Sequence, residues 1–161
     1  MKKSTKEIRK CADMVERRMV ANGVVVQRYD SYSTNSVYFK FDGGLANSLR
    51  IGDHKGKKHL NYMFMVDINH YGNMKITKDK FFQYTYGSTK KNIARLIEHI
   101  MRHRYKRIDQ YPNIIAYREA VKRQFMTRSD QKGFWSQAKL IESKQSEWLH
   151  EDIRQAYTDN R

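Results

Sequence analysis

Residues 31–68 read SYSTNSVYFKFDGGLANSLRIGDHKGKKHLNYMFMVDI, and the alternation within them decides the fold. Val37, Phe39 and Phe41 alternate with Tyr38 and Lys40, the two-residue period of a half-buried strand. Asp42-Gly43-Gly44 follows, a run that accepts the positive φ angles of a tight hairpin. The return strand sets Leu45, Asn47, Leu49 and Ile51 on one face, with Ala46, Ser48 and Arg50 on the other. Gly52 to Lys58 is a polar, basic turn. Leu60, Tyr62, Phe64, Val66 and Ile68 then alternate with Asn61, Met63, Met65 and Asp67. Strands joined in order by short turns make an antiparallel meander.

Outward from this stretch, Val24 to Tyr29 reads as a further β-branched strand, and Phe81–Tyr86 holds a fourth or fifth. Before them, Ser4-Thr5-Lys6-Glu7 is a capping box. It opens a helix with Ile8, Cys11, Ala12, Val15 and Met19 on its apolar stripe, stopped by Asn22-Gly23. Cys11, the single cysteine, lies on that stripe and reads as core. A second helix starts at Ser88 and buries Ile93, Leu96, Ile97, Ile100, Met101 and Ile108. A third has Pro112 in its first turn and buries Ile114, Tyr117, Val121 and Phe125. A last helical region is expected from Phe134 to about Tyr157. The fold class is α+β: a small antiparallel meander of three to five strands, packed by an N-terminal helix and several C-terminal helices. Residues 1–110 form the α+β core with its basic helix, and residues 111–161 a helical extension packed on it.

Charge is the strongest bulk signal. The 161 residues carry 32 Lys and Arg against 17 Asp and Glu, a net +15. Residues 1–139 hold 29 of the bases and 12 of the acids, so the excess lies outside the C-terminal tail. Such a field favours a polyanionic partner through steering and counterion release. No run approaches the roughly 20 apolar residues of a membrane span, so no membrane partner is expected. A lone cysteine excludes an intramolecular disulfide and fits a reducing cytoplasm.

Two surfaces carry the candidate binding residues. At the hairpin end after Arg50 stand Asp53, His54, Lys55, Lys57, Lys58 and His59, cations around turn amides that suit a phosphate. A catalytic alternative makes His54 a general base held by Asp53 for phosphodiester cleavage; otherwise no catalytic residue is assigned. The helix from Ser88 to Arg107 offers the second surface, with Lys90, Lys91, Arg95, Arg102, Arg104, Lys106 and Arg107 against Glu98 alone. Tyr38, Lys40 and Arg50, on the non-core face of the sheet, alternate aromatic and basic groups in a way that can stack a base and hold its phosphate. His99 and His103 have the i, i+4 spacing of zinc ligands but lack a third ligand nearby and sit among arginines, so no metal is assigned. No Walker loop or dinucleotide fingerprint occurs, and no cofactor is expected.

Ser36-x-Tyr38, a hairpin, and Arg50-Ile51-x-Asp53-His54-Lys55-Gly56 followed by an aromatic strand resemble small proteins encoded by phages of low-GC Gram-positive bacteria. Among these, the stretch is similar to the streptococcal-phage anti-CRISPR inhibitors of type II-A Cas9. Asp53 stands where that pattern has asparagine. The resemblance covers about a quarter of the chain and implies a phage or mobile-element protein acting in the bacterial host cytoplasm. It would bind the guide-RNA-loaded Cas9 through a basic surface, as an inhibitor rather than an enzyme. The expected contacts are Tyr38, Lys40, Arg50, His54, Lys55, Lys57, Lys58, Lys91, Arg95, Arg102 and Lys106. The alternatives are a general nucleic-acid-binding accessory protein, a small ribonuclease using His54, or an assembly protein anchored by Trp135 and Trp148.

Overall fold

The structure, a computed structural model, describes residues 3–31, 36–54, 57–63, 82–85, 89–126 and 133–149. At 3–5, 7, 53–54, 57–63, 82–85, 89–92, 126, 134 and 145 it describes the backbone alone. Helix α1 (Lys3–Ala21) leads into strands β1 (Val26–Asp30), β2 (Val37–Phe41), β3 (Ser48–His54), β4 (Lys57–Met63) and β5 (Phe82–Thr85). Helices α2 (Thr89–Ile108) and α3 (Ile114–Met126) follow, then strand β6 (Lys139–Ile141). Among the described residues the six strands form one antiparallel sheet in the order β5-β4-β3-β2-β1-β6. The α+β meander expected from the sequence is therefore present, extended by an edge strand.

The helix stop after α1 has a full physical account. Gly23 takes φ +77, its amide reaches the Val20 carbonyl, and the Val24 amide reaches that of Met19. This is a Schellman closure, which glycine permits because it has no Cβ to clash. Ser4 lies inside α1, which begins at Lys3, so it is not the N-cap. The third helix begins later than Pro112: Asn113 Oδ1 accepts the Ala116 amide at 2.8 Å, which makes Asn113 the cap.

The pleat divides the sheet into two faces. One buries Val26, Val37, Phe39, Phe41, Leu49 and Ile51 under the apolar stripes of α1 and α2, forming the main core. Cys11 belongs to it, and burial pushes its thiol up to about 12. A second core on the opposite side joins Val25, Leu45 and Leu149 to Tyr117, Val121 and Phe125 of α3. Ile114, expected inside, is 43% exposed; α3 packs on the loop at Asp42 through Tyr117, Gln124 and Phe125.

Two local readings change. Asp42-Gly43-Gly44 is a short 3-10 turn within a wider loop, with positive φ at Asp42, Gly43, Gly44 and Asn47. Leu45 consequently leaves the Leu49–Ile51 face and enters the second core. The region expected as helix from Phe134 opens with a 3-10 turn (Gly133–Gln137) and then β6, and helical backbone resumes at Lys144–Ser146 and continues through 147–149. In β6 Leu140 faces the second core and Ile141 packs on the first, an alternation set by pairing with β1. The continuation of the third predicted strand beyond Met63, the Ser88 cap and the C-terminal end of the last helical region lie outside the described residues.

Candidate functional site

Strand register brings Tyr29, Tyr38 and Arg50 into one row across β1, β2 and β3, since Tyr29 pairs with Tyr38 and Tyr38 with Arg50. They alternate with core residues, so the row occupies the face turned away from α1 and α2. The two tyrosine rings lie 6.5 Å apart, and the Arg50 guanidinium sits 5.5 Å above the Tyr38 ring. Arg50 Nε donates to Ser36 Oγ at 3.2 Å, and Ser36 is buried. On the same face Lys40 Nζ stands 4.6 Å from the Trp135 ring, a contact supplied by the turn Gly133–Gln137. Tyr38, Lys40 and Arg50, expected together on the non-core face of the sheet, stand on that one face.

Gly52 is what makes room for this brace. A Cβ there would lie 2.7 Å from Ser36 Oγ. A glycine inside a strand marks a close approach, and here the approach is that of Ser36 to Arg50.

Arg50 is half-buried, and among the described residues no carboxylate pairs with it. Two other inward-turned arginines, Arg28 and Arg104, are neutralised by carboxylates. Arg28 sits on the helix-covered face and donates to Asp13 at 2.7 Å, to Glu16 at 3.3 Å and through two bonds to Asp30. These charges line an open depression of about 490 Å³ beside Tyr29 and Lys139, where the three carboxylates outnumber the bases. Burial pulls the Arg28 guanidinium down, but the two aspartates outweigh it and the net shift is upward.

Arg104 is neutralised more completely. Its Nε donates to Asp42 Oδ2 at 2.7 Å, the Tyr117 hydroxyl donates to the same oxygen, and Asp42 Oδ1 accepts the Val25 amide. Asp42 is fully buried, so this network pins the β2–β3 loop to both α2 and α3. Burial first, then the neighbouring carboxylate, holds the Tyr117 phenol far above its ordinary value. Arg107 is buried as well and donates to Gln110 at 3.0 Å. Two of the seven bases assigned to the surface of the second helix therefore face inward, a correction the helical period explains: 104 and 107 continue the stripe of Ile93, Ile97 and Ile100.

The remaining expected residues of α2 divide. Arg95, Arg102 and Lys106 are exposed on its outer face, with Glu98 Oε1 accepting from Arg102 Nη2 at 3.5 Å. This face lies across the sheet from Arg50, so the outer face of α2 and the Tyr38–Arg50 row are separate surfaces. The side chains of Lys90 and Lys91 lie outside the described ones. At the β3–β4 hairpin the backbone pairs His54 with Lys57 and Asp53 with Lys58; Lys55 and the side chains of Asp53, His54, Lys57, Lys58 and His59 lie outside the described residues.

His99 and His103 meet edge to face with ring centroids 4.2 Å apart, and His103 is buried. Among the described residues no group of three or more His, Cys, Asp or Glu is placed to hold a metal ion, and no helix is long and apolar enough to cross a membrane. Trp148 packs on the second core beneath the Arg118 guanidinium at 5.2 Å, so both tail tryptophans make intramolecular contacts.

The sequence reading missed Arg28 and Asp42. The signal for Arg28 was the two-residue period, which puts it on the face of Val26. Asp42 gave no local signal, because its partners Arg104 and Tyr117 lie 62 and 75 residues away. Compared with known protein families, curated proteins and solved structures, the chain matches none.

Proposed function

We propose that the protein acts by binding, as an inhibitor of a bacterial CRISPR–Cas nuclease that engages the guide-RNA-loaded Cas9 through its bases. The supporting observation is the charge on the outer faces of α1 and α2, which pack together over the main core. Lys6, Lys10, Arg17 and Arg18 of α1 and Arg95, Arg102 and Lys106 of α2 are exposed; among the described side chains of these helices, the exposed acids are Asp13 and Glu98. Asp13 is already engaged by Arg28. A cationic helical layer of this kind tracks phosphates and releases their counterions. The choice of Cas9 rests on the resemblance in residues 36–56, and a basic protein suits the RNA or the loaded complex better than imitation of DNA, which calls for acidic clusters.

The test is target-DNA cleavage by a type II-A Cas9 with guide, at rising concentrations of this protein, with naked RNA incubated alongside. Inhibition with intact RNA is the expected result. No binding to Cas9, loaded or empty, removes the inhibitor reading. Salt-sensitive binding to free RNA or duplex without inhibition assigns a general nucleic-acid-binding role. Cleavage of naked RNA that is lost in His54→Ala assigns a ribonuclease.

A further inference from the structure

We infer that the Ser36–Tyr38–Arg50 cluster is a phosphate-reading site for a single-stranded nucleic acid laid across β1, β2 and β3. This deepens the polyanion-binding reading above and rests on it. The first support is the state of Arg50. A half-buried guanidinium has lost part of its hydration, a cost that proteins ordinarily offset with a carboxylate. Arg28 and Arg104 follow that rule. Arg50 does not: among the described residues its contacts are one hydroxyl and one ring, both neutral.

The second support is the geometry of the brace. Ser36 holds Nε and Tyr38 holds one face of the plane. Among the described residues the two terminal nitrogens have no acceptor, and the guanidinium fork matches two oxygens of a phosphate. A side chain already fixed in this way loses little further freedom when an anion docks. Gly52 preserves the arrangement by leaving space where a methyl would strike Ser36.

The third support selects the ligand. The phosphate site sits in a row with Tyr29 and Tyr38, and Lys40 and Trp135 stand on the same face. Aromatic groups interleaved with cations suit a strand whose bases are unstacked and whose phosphates repeat. A paired duplex hides its base faces and gains only the charge.

The experiment measures binding of a labelled oligouridine RNA, an oligothymidine DNA of equal length, a duplex of equal length and a phosphopeptide of equal charge. The proteins are wild type, Arg50→Lys, Ser36→Ala and Gly52→Ala, each checked for a cooperative melt. Arg50→Lys keeps the charge and removes the fork, so single-strand affinity is expected to fall about tenfold while duplex affinity changes less than about twofold. Ser36→Ala and Gly52→Ala are expected to lose about threefold on single strands. The RNA and DNA arms identify which strand is the better ligand. Single-strand affinity unchanged in Arg50→Lys overturns the site, as does preference for the phosphopeptide. If wild type binds the duplex or loaded Cas9 while single strands ignore Arg50, this site alone fails; if it binds none of these, the binding function fails with it.

Discussion

Arg28 and Arg50 stand on opposite faces of one sheet, both partly withdrawn from water and both over an aromatic ring of β2. Arg28 is gripped by three carboxylates contributed by α1 and β1. Arg50 is gripped by a hydroxyl and a phenol ring. The sequence shows both as arginines in strands. What separates them is the neighbour across the fold, and that neighbour separates a charge spent on holding the molecule together from a charge left for a partner. Arg104 extends the first class to α2, where the buried Asp42 of the β2–β3 loop neutralises it.

The comparison can be broken first at its strongest point. Asp42→Ala strips Arg104, Tyr117 and the Val25 amide of their shared acceptor in a buried site. Removing one partner of such a pair leaves an uncompensated charge, and the expected loss is about 3 to 5 kcal/mol in urea unfolding. A loss below about 1 kcal/mol would mean that the network contributes little. Next comes Arg28→Met, which leaves three acids facing one another. Their partial exposure screens the repulsion, so the expected cost is about 2 kcal/mol in the same assay, with no loss of nucleic-acid affinity. Arg50→Gln sharpens the contrast: stability is expected within about 0.5 kcal/mol of wild type, because no carboxylate is orphaned.

Alkaline pH probes the interior class again. Burial and then Asp42 raise the proton affinity of the Tyr117 phenol, whose ordinary value is 10.0. An acid held protonated by the fold keeps its full stabilisation below that value and loses it as the pH climbs beyond. Cys11, raised by burial from 9.0 to about 12, acts in the same direction. Melting temperature is therefore expected to fall from about pH 9 upward, and Tyr117→Phe should flatten the part of that fall above about pH 10. The smallest effects belong to the exposed layer. Arg95→Gln and Lys106→Gln are each expected to leave stability unchanged and to lower the salt slope of nucleic-acid binding by about one.

Periodicity made most of the scaffold legible. The stripes of α1 and α2, the glycine stop at Gly23 and the alternation of β2 and β3 are local properties, and local sequence carries them. β6 escaped because three residues become a strand only by pairing with β1, more than a hundred positions earlier. The buried role of Asp42 escaped for the same reason: Asp-Gly-Gly is a turn in any context, and only the arrival of Arg104 and Tyr117 makes the carboxylate a keystone. Arg104 and Arg107 were legible in principle, since they stand on the apolar stripe; counting them as surface bases gave charge more weight than period. Of the candidate site, the sequence supplied Ser36, Tyr38, Lys40 and Arg50 as types and positions. It did not supply the brace or the missing carboxylate, because the counter-charge near a side chain is a property of the assembled fold.

The most direct test follows the salt dependence of binding to guide RNA in Arg50→Gln and Arg28→Met, both held well below their melting temperatures. The account predicts a slope lower by about one in Arg50→Gln, with weakened affinity, and an unchanged slope in Arg28→Met. Equal slopes for the two variants, or a larger change in Arg28→Met, would contradict it.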